Sequence, residues 1–277
     1  MVKTFIRWFG NKSKYVNSIF PLFPDKYNTY IEPFLGSGAL FLHAKPSKWI
    51  INDINKDVFI IWKTVKRSPE HIITFFKYFS KYFVPLNNTD KVLLCRHIVT
   101  KMIPQMRYDK DRAVVFLLMK FCVFLGILIQ NNKYRFSGIE RAIYYNKPLY
   151  FFSEKYYNLL QNTSKYLNAS KGKIYNKDYK EVIAKAKTGD FVFLDPPYLD
   201  DHEYCVQYNH FESIDNKFMD ELVLELERLD NLNVKWMLTQ ADNPFIRNLF
   251  KKYNISSYQV YRLRSNKYKN ELIIKNY

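Results

Sequence analysis

Residues 191–198 limit the choice of fold more than any other part of the sequence. The apolar run Phe-Val-Phe-Leu at 191–194 is followed by Asp195, Pro196, Pro197 and Tyr198. A short, wholly apolar run is typical of a strand that is buried on both faces of a sheet. Proline lacks the N–H that a sheet ladder needs, so the two prolines end this strand in an extended turn. The pattern therefore predicts that the Asp195 carboxylate lies at the end of a buried strand.

The same turn has the chemistry to hold an exocyclic amine of a nucleobase. The Pro196 carbonyl has no ladder partner and would lie beside the Asp195 carboxylate, so two acceptors meet the two hydrogens of a planar amine. Tyr198 is placed to stack on the ring that carries the amine. Taken alone, these four residues are equally consistent with a surface turn that binds nothing.

Residues 30–41 predict a strand, a glycine turn and a helix. Gly36 and Gly38 would let a ligand approach the backbone closely at the N-terminus of that helix. A second strand at 49–52 leads to Asp53, the position of the ribose-binding acid in nucleotide folds. Phe41 stands where a dehydrogenase fingerprint has its third glycine, which argues against a nicotinamide cofactor. The alternatives are an ordinary loop for the glycines and a helix cap for Asp53.

Two further segments complete the pattern. Residues 6–12 read Ile-Arg-Trp-Phe-Gly-Asn-Lys, and residues 174–181 form a strand end with an acid just before a helix. In this order the segments resemble the Dam-like (alpha-class) DNA adenine-N6 methyltransferases, which use S-adenosylmethionine. The resemblance covers most of the chain, including a last strand at 270–277. It implies an α/β fold, a Rossmann-like S-adenosylmethionine-dependent methyltransferase core with a mainly α-helical target-recognition insertion.

The resemblance also implies which residues form the site. Residues 8–12 would contact the methionine part of the cofactor, residues 32–38 would form the cofactor loop, and Asp53 would bind the ribose. Asp178 falls where the family has an acid near the cofactor's adenine. The implied cofactor-binding residues are Trp8, Gly10, Lys12, Glu32, Pro33, Phe34, Gly36, Ser37, Gly38, Asp53, Asp178 and Asp195. The implied catalytic residues are Asp195, Pro196 and Tyr198.

The order of elements predicts one catalytic domain interrupted by an insertion. Residues 1–66 and 150–277 would form the methyltransferase domain, and residues 67–149 the inserted target-recognition domain. Within the insertion, helices are predicted at 69–82, 90–102 and 111–129. Near the C-terminus, residues 257–264 and 271–276 flank a basic turn and predict an antiparallel hairpin.

The predicted DNA-binding residues are basic and aromatic. They are Lys133, Tyr134, Arg135 and Arg141 in the insertion, with Arg264 and Lys267 near the C-terminus. An exposed hairpin without a ligand is the alternative for the first three. Dam-like enzymes that read GATC carry a signature resembling Asn-Gly-Leu-x-Arg-Tyr-Asn, which residues 124–138 do not match. The target sequence therefore stays open.

Charge and composition favour a soluble, intracellular DNA-binding protein. The 43 basic residues exceed the 26 acidic ones and leave a net charge of +17, which predicts a polyanionic partner. An A/T-rich genome, whose codons favour lysine, could account for part of this excess. The apolar stretch 113–129 has Lys120 at its centre, which favours a buried helix over a membrane span. The spacing of the three cysteines and five histidines suggests neither disulfides nor a metal site.

The leading prediction is methyl transfer from S-adenosylmethionine to N6 of adenine in DNA, after the base is flipped from the helix. The methyl group of the sulfonium is already activated, so direct in-line transfer requires neither a metal nor a covalent intermediate. Adenine in RNA, N4 of cytosine in DNA and a non-catalytic nucleic-acid-binding subunit are the alternatives. A cognate restriction endonuclease is a candidate partner, and the oligomeric state stays open.

Overall fold

The structure, a computed structural model, describes residues 3–8, 10–122, 128–131, 133–136, 139–145, 148–198, 216–262 and 267–277. Its strands are β1 (Tyr30–Glu32), β2 (Lys48–Asn52), β3 (Leu128–Asn131), β4 (Lys133–Phe136), β5 (Lys171–Tyr175), β6 (Phe191–Leu194), β7 (Lys235–Ala241), β8 (Asn254–Arg262) and β9 (Lys267–Lys275). Strands β3 and β4 pair only with each other among the described residues, and the other seven form one sheet.

The helices precede, follow or connect these strands. They are α1 (Val16–Ile19), α2 (Ala39–Ala44), α3 (Lys56–Arg67), α4 (Pro69–Phe83), α5 (Asn88–His97), α6 (Lys110–Cys122), α7 (Ile139–Tyr145), α8 (Glu154–Ala169), α9 (Tyr179–Ile183), α10 (Asn216–Asn231) and α11 (Pro244–Leu249). A short 3-10 helix at Lys12–Lys14 precedes α1. Among the described residues, no helix has the length and apolar character needed to span a membrane.

The seven-stranded sheet has the order β5-β2-β1-β6-β7-β9-β8. Strands β5, β2, β1, β6 and β7 are parallel, whereas β9 runs antiparallel to both β7 and β8. The predicted C-terminal hairpin is therefore present. The carboxyl ends of parallel strands meet at one edge, where open α/β sheets bind ligands. The loops that follow β1, β2, β5 and β6 all leave from that edge.

Alternate residues of each strand pack on opposite faces of the sheet. In β6, Phe191 and Phe193 join a cluster that includes side chains from α3, α4, α6 and α8. Val192 and Leu194 point to the other face and join a cluster with α9, α10 and α11. Helices thus cover both faces, which explains why β6 is apolar throughout and confirms the predicted α/β fold class.

One predicted helix was too long. The helix predicted at 111–129 is α6, which ends at Cys122, and Leu128–Asn131 is strand β3. The backbone of β3 pairs antiparallel with β4 instead of continuing helical hydrogen bonds. A continuous apolar run does not distinguish helix from strand by its periodicity, so the sequence pattern did not mark this change.

Candidate active site

The glycine turn after β1 packs closely against two tryptophans. Gly36 and Gly38 have φ angles of 49° and 63°, in the left-handed region that favours glycine. A Cβ on Gly36 would lie 2.7 Å from Cδ1 of Trp8, and one on Gly38 would lie 2.5 Å from Cζ2 of Trp62. Trp62 Nε1 also donates a 3.1 Å hydrogen bond to the Gly36 carbonyl. Larger residues at either position would displace a ring.

Asp53 is held in place by two backbone N–H groups. Its Oδ2 accepts from the Gly36 N–H at 2.8 Å, and its Oδ1 accepts from the Asn55 N–H at 2.8 Å. Burial raises the pKa of Asp53 to about 6, although these two hydrogen bonds and the charge of Lys120 oppose the shift. The loop after β1 and the acid after β2 therefore form one unit.

Lys120 joins this unit from helix α6. It is only 3% exposed, and its Nζ is 4.1 Å from the centre of the Trp8 ring. Burial lowers the pKa of Lys120 to about 7, while the charges of Asp57 and Asp53 oppose that shift. The sequence predicted a buried helix around Lys120 but did not connect this lysine with the site.

The N-terminal motif is also tied to the glycine turn. Ser37 Oγ donates to Asn11 Oδ1 at 3.0 Å, and the same oxygen accepts from the Ser13 N–H at 2.9 Å. Asn11 is thereby the N-cap of the 3-10 helix that carries Lys12. Asn11 thus anchors the segment that carries Trp8 before it and Lys12 after it to the carboxyl edge of the sheet.

The loop after β5 meets the loop after β1 through Asn52. The Asn52 amide donates to the Pro33 carbonyl at 2.9 Å and to the Lys177 carbonyl at 3.0 Å. Asp178 follows directly, is exposed, and caps α9 through the Lys180 N–H. The Phe34 ring lies 5.2 Å from the ring of Tyr179. The loops that carry Phe34 and Asp178 therefore meet at the same edge.

Asp195 stands at the end of β6 and accepts hydrogen bonds from the side chains of Lys12 and Thr239, with a longer one of 3.4 Å from the Tyr198 hydroxyl. Lys12 Nζ donates to Oδ1 at 2.7 Å and to Oδ2 at 2.9 Å. Thr239 Oγ1, from the neighbouring strand β7, donates to Oδ1 at 2.6 Å. These charge-assisted bonds hold the carboxylate plane in one orientation.

Tyr198 is fixed by a buried glutamate on the last strand. Glu271 of β9 is 3% exposed, and its Oε2 accepts from the Tyr198 hydroxyl at 2.8 Å and from the Tyr258 hydroxyl at 2.5 Å. Burial, and then the negative charge of Glu271, raise the pKa of Tyr198 well above its usual range. Tyr198 therefore remains a neutral donor.

Glu32 is a further acid near this edge, and it is buried. Burial raises its pKa well above the usual range, and the negative charges of Asp195 and Asp53 add to the shift. The Tyr30 hydroxyl donates to Glu32 Oε2 at 2.8 Å.

The structure thus brings the predicted cofactor-binding and catalytic residues together. Five of the six predicted DNA-binding residues lie in the part of the chain that the structure describes. Lys133, Tyr134 and Arg135 belong to β4, Arg141 belongs to α7, and Lys267 is an exposed residue at the start of β9. Arg264 lies outside the described residues.

Sequence reasoning missed Thr239, Tyr258, Glu271 and the role of Lys120. Thr239 and Tyr258 carry no signal, because each is a common strand residue. Glu271 does carry one, since it is an acid directly before the apolar run 272–274 of a buried strand. A charged residue in such a run is rarely buried without a partner.

The comparison with known families decides the identity of the fold and its chemistry. A family model described as D12 class N6 adenine-specific DNA methyltransferase matches residues 8–263. The chain belongs to this family. D12 class enzymes use S-adenosylmethionine, so the predicted cofactor and the leading function are confirmed. Adenine in DNA is thereby favoured over the RNA and cytosine alternatives.

Three curated relatives match 90% or more of the chain. A type II methyltransferase of Lactococcus lactis subsp. cremoris is 29% identical over 100% of this chain and 96% of its own length. A type II methyltransferase of Methanocaldococcus jannaschii is 26% identical over 100% of this chain and 99% of its own. The DNA N-6-adenine-methyltransferase of Escherichia phage P1 is 28% identical over 90% of this chain, but only 31% of its own length is covered.

A solved structure of lower similarity was also found. It is described as a methyltransferase complexed with SAH, and it is 11% identical over 96% of this chain and 52% of its own. Its TM-score of 0.35 is too low to support a conclusion about fold or ligand.

Proposed function

We propose that this chain methylates N6 of adenine in DNA with Asp195 and the Pro196 carbonyl as the acceptors of the target amine. The observation that carries the proposal is the position of Asp195, which Lys12 and Thr239 hold at the same sheet edge as Gly36 and Asp53. A site for an amine and a site for a nucleoside thus share one edge.

The residues at this edge fit S-adenosylmethionine. Asp53 presents a carboxylate, fixed by backbone N–H groups, that suits the two hydroxyls of a ribose. Trp8 offers an aromatic face for the methionine part, and Phe34 and Asp178 flank the position expected for the adenine. When bound, the cofactor supplies a methyl group that is activated by a positive sulfur.

The target amine would be activated by hydrogen bonding. Its lone pair is delocalised into the adenine ring, and two acceptors on its N–H groups favour a pyramidal nitrogen with an available lone pair. Asp195 also stabilises the positive charge that develops on the nitrogen during transfer. Thr239 keeps Oδ1 of Asp195 in the required position, so little reorganisation accompanies the reaction.

Lys12 blocks this site until the target arrives. It donates to both oxygens of Asp195, and its Nζ lies 5.0 Å from the centre of the Tyr198 ring. Lys12 therefore contacts both the Asp195 oxygens and the Tyr198 ring that the adenine needs. Entry of a flipped base requires Lys12 to leave Asp195.

The insertion, proposed as residues 67–149, would read the target sequence. Lys133, Tyr134, Arg135 and Arg141 combine charge for phosphates with planar groups for bases, and Arg264 and Lys267 would add phosphate contacts from the catalytic domain. The enzyme would act inside the cell, where DNA is replicated.

A restriction endonuclease with the same target is the proposed functional partner. Two relatives that cover the whole chain are named type II methyltransferases. We expect DNA methylated by this chain to resist cleavage by a nuclease encoded beside it. Cleavage of fully methylated DNA would contradict the pairing.

The test of the main proposal is transfer of a tritiated methyl group to duplex DNA, single-stranded DNA and RNA, followed by mass spectrometry of nucleosides. We expect N6-methyladenine in duplex DNA. Asp195→Asn should lower the rate by about 100-fold or more, because the amide lacks the negative charge that stabilises the positive charge developing on the nitrogen. Sequencing of the methylated DNA would give the target site.

Asp190→Asn is the matched control. Asp190 is a buried acid at the opposite end of β6, where its Oδ2 accepts from the Lys187 N–H at 3.0 Å. Its replacement should leave methyl transfer unchanged. Label in RNA or cytosine alone, or full activity of Asp195→Asn, would contradict the proposal.

A further inference from the structure

A single ammonium group lies between two carboxylates in this site. Lys12 Nζ is 2.7 Å from Asp195 Oδ1 and 3.9 Å from Glu271 Oε2. The side chains of Lys12 and Glu271 are 8% and 4% exposed, so water screens their charges little. Among the described residues, the Lys12 ammonium is therefore the positive charge that lies within 4.0 Å of both Asp195 and Glu271.

Glu271 is rigidly held as an acceptor. The Tyr198 and Tyr258 hydroxyls both donate to its Oε2, from a turn after β6 and from strand β8. β9 itself pairs with strands on both sides, so the backbone at Glu271 is fixed as well. The carboxylate is thus preorganised before any substrate binds.

Displacement of Lys12 by the target amine would leave a buried ammonium that needs a new partner. Transfer into an apolar environment without one is strongly unfavourable. A shift of about 1 Å would shorten the 3.9 Å contact with Glu271 to hydrogen-bond distance. Among the described residues, Asp195 and Glu271 are the acids with a carboxylate oxygen within 4.0 Å of Lys12 Nζ.

We propose that Glu271 is the second binding partner of the Lys12 ammonium. The ammonium moves from Asp195 to Glu271 when the target amine binds Asp195. Glu271 is then a positioning residue that acts through Lys12. The exchange removes the ammonium from both oxygens of Asp195 and leaves the number of buried charges unchanged. This inference rests on the proposed function, because it assumes that Asp195 receives the amine.

The exchange predicts how Glu271→Gln should behave. The amide keeps the size of the side chain and an oxygen for the tyrosines, but it offers no charge to Lys12. Lys12 should then stay on Asp195. We expect kcat, and the fluorescence rise of 2-aminopurine placed at the mapped target adenine, to fall by about tenfold or more. Affinity for S-adenosylhomocysteine should change little.

A second substitution separates this exchange from a purely structural role. Lys12→Met in the Glu271→Gln background removes the ammonium that blocks Asp195. We expect the 2-aminopurine signal at the target to recover in the double variant relative to Glu271→Gln alone. If Glu271 only supports Tyr198, the double variant will be no better than the single one, which would overturn the proposal.

Tyr258→Phe is the matched control. It removes one hydrogen bond to the same oxygen of Glu271 but keeps both carboxylates and Lys12. We expect a smaller loss of the 2-aminopurine signal than for Glu271→Gln. An equal loss would assign the effect to the hydrogen-bond network and would contradict the exchange.

The unaltered enzyme supplies a test that does not depend on any variant folding. In a crystal structure with S-adenosylhomocysteine and the target duplex, Lys12 Nζ should lie within hydrogen-bond distance of Glu271. Lys12 still bound to Asp195, with the adenine in the site, would overturn the inference. If the unaltered enzyme methylates no DNA, the proposed function is wrong. If it methylates DNA but Lys12 stays on Asp195, only the exchange is wrong.

Discussion

Asp53 follows β2 and Asp195 follows β6, and the two carboxylates have different kinds of partner. Backbone N–H groups hold Asp53, whereas the side chains of Lys12 and Thr239 hold Asp195. Backbone donors remain in place when a ligand binds. A lysine on a flexible stem can leave. The first arrangement suits a permanent binding site, and the second suits an acceptor that must be uncovered.

The raised pKa of Asp53 predicts a pH-dependent affinity for the cofactor. Only the ionised carboxylate accepts hydrogen bonds from both ribose hydroxyls, and its pKa is about 6. We expect the affinity for S-adenosylhomocysteine, measured by calorimetry, to rise from about pH 5 to about pH 7. Asp53→Asn should bind more weakly and should lack this dependence. An unchanged profile in Asp53→Asn would contradict the assignment.

The raised pKa of Asp53 has the opposite effect on the stability of the unliganded protein, which should fall as pH rises. The folded state holds the Asp53 proton more tightly than the unfolded chain, whose pKa is about 3.9. The free energy of unfolding of the unliganded protein should therefore receive a contribution that falls as pH rises from about 4 to about 6, then levels off. Urea titrations of the protein and of Asp53→Asn would measure the difference.

Gly38→Ala tests the packing of the glycine turn. The new methyl group would meet the fully buried Trp62 ring at 2.5 Å, and the φ of 63° adds strain. We expect the free energy of unfolding to fall by about 3 kcal/mol or more. Gly10→Ala is the control, since Gly10 has a φ of 74° but is exposed. Its cost should be about 1 to 2 kcal/mol, and equal losses would argue against the clash.

At the scale of elements, helix α6 contacts both α3 and the N-terminal motif. Arg112 in its first turn donates to Asp57 of α3 through Nε at 2.6 Å and through NH2 at 2.9 Å, and both residues are buried. Arg112 also donates to the Ile103 carbonyl. Two turns later, Lys120 covers Trp8. A displacement of α6 would therefore reach Trp8 and the glycine turn that packs against it.

Arg112→Met should strongly destabilise the protein. The substitution leaves Asp57 as a buried charge without its partner, a change that typically costs about 3 to 5 kcal/mol. Chemical denaturation would measure the change in the free energy of unfolding. Replacing both residues, as in Arg112→Met with Asp57→Leu, should recover a large part of the loss, because no unpaired charge remains.

Arg247→Met is the matched control for this pair. Arg247 contacts Asp242 with the same two-pronged geometry, at 2.6 Å and 2.8 Å, but its side chain is 49% exposed. Water can replace the partner there, so we expect little change in stability. Similar losses for Arg112→Met and Arg247→Met would show that burial does not determine the strength of these pairs.

At the scale of the whole molecule, the net charge of +17 predicts strong, salt-dependent binding to DNA. Plots of log affinity against log salt concentration should have a negative slope. If Lys133 and Arg135 contact phosphates, replacing either by alanine should reduce that slope by about 0.9. Lys187→Ala is the control, because Lys187 is exposed next to the amino end of β6, away from the site. An equal effect of Lys187→Ala would place DNA elsewhere.

Much of the fold could be predicted because its signals are local. The apolar run 191–194, its two prolines and the glycine turn at 36–38 identify strand ends through turn chemistry, and parallel strands bring those ends to one edge. The helix predicted at 111–129 failed at 128–129, because only pairing with β4 distinguishes that strand from more helix. Local patterns do not contain that information.

The sequence by itself determined the order of the elements, the edge at which Asp53 and Asp195 stand, and the family resemblance. Each of these depends on neighbouring residues and their periodicity. Only the tertiary structure decided that Lys12 binds Asp195, a residue 183 positions away, and that Glu271 lies within reach of the same ammonium. Such contacts depend on the order of strands in the sheet, and burial then determines the strength of the charges that meet there.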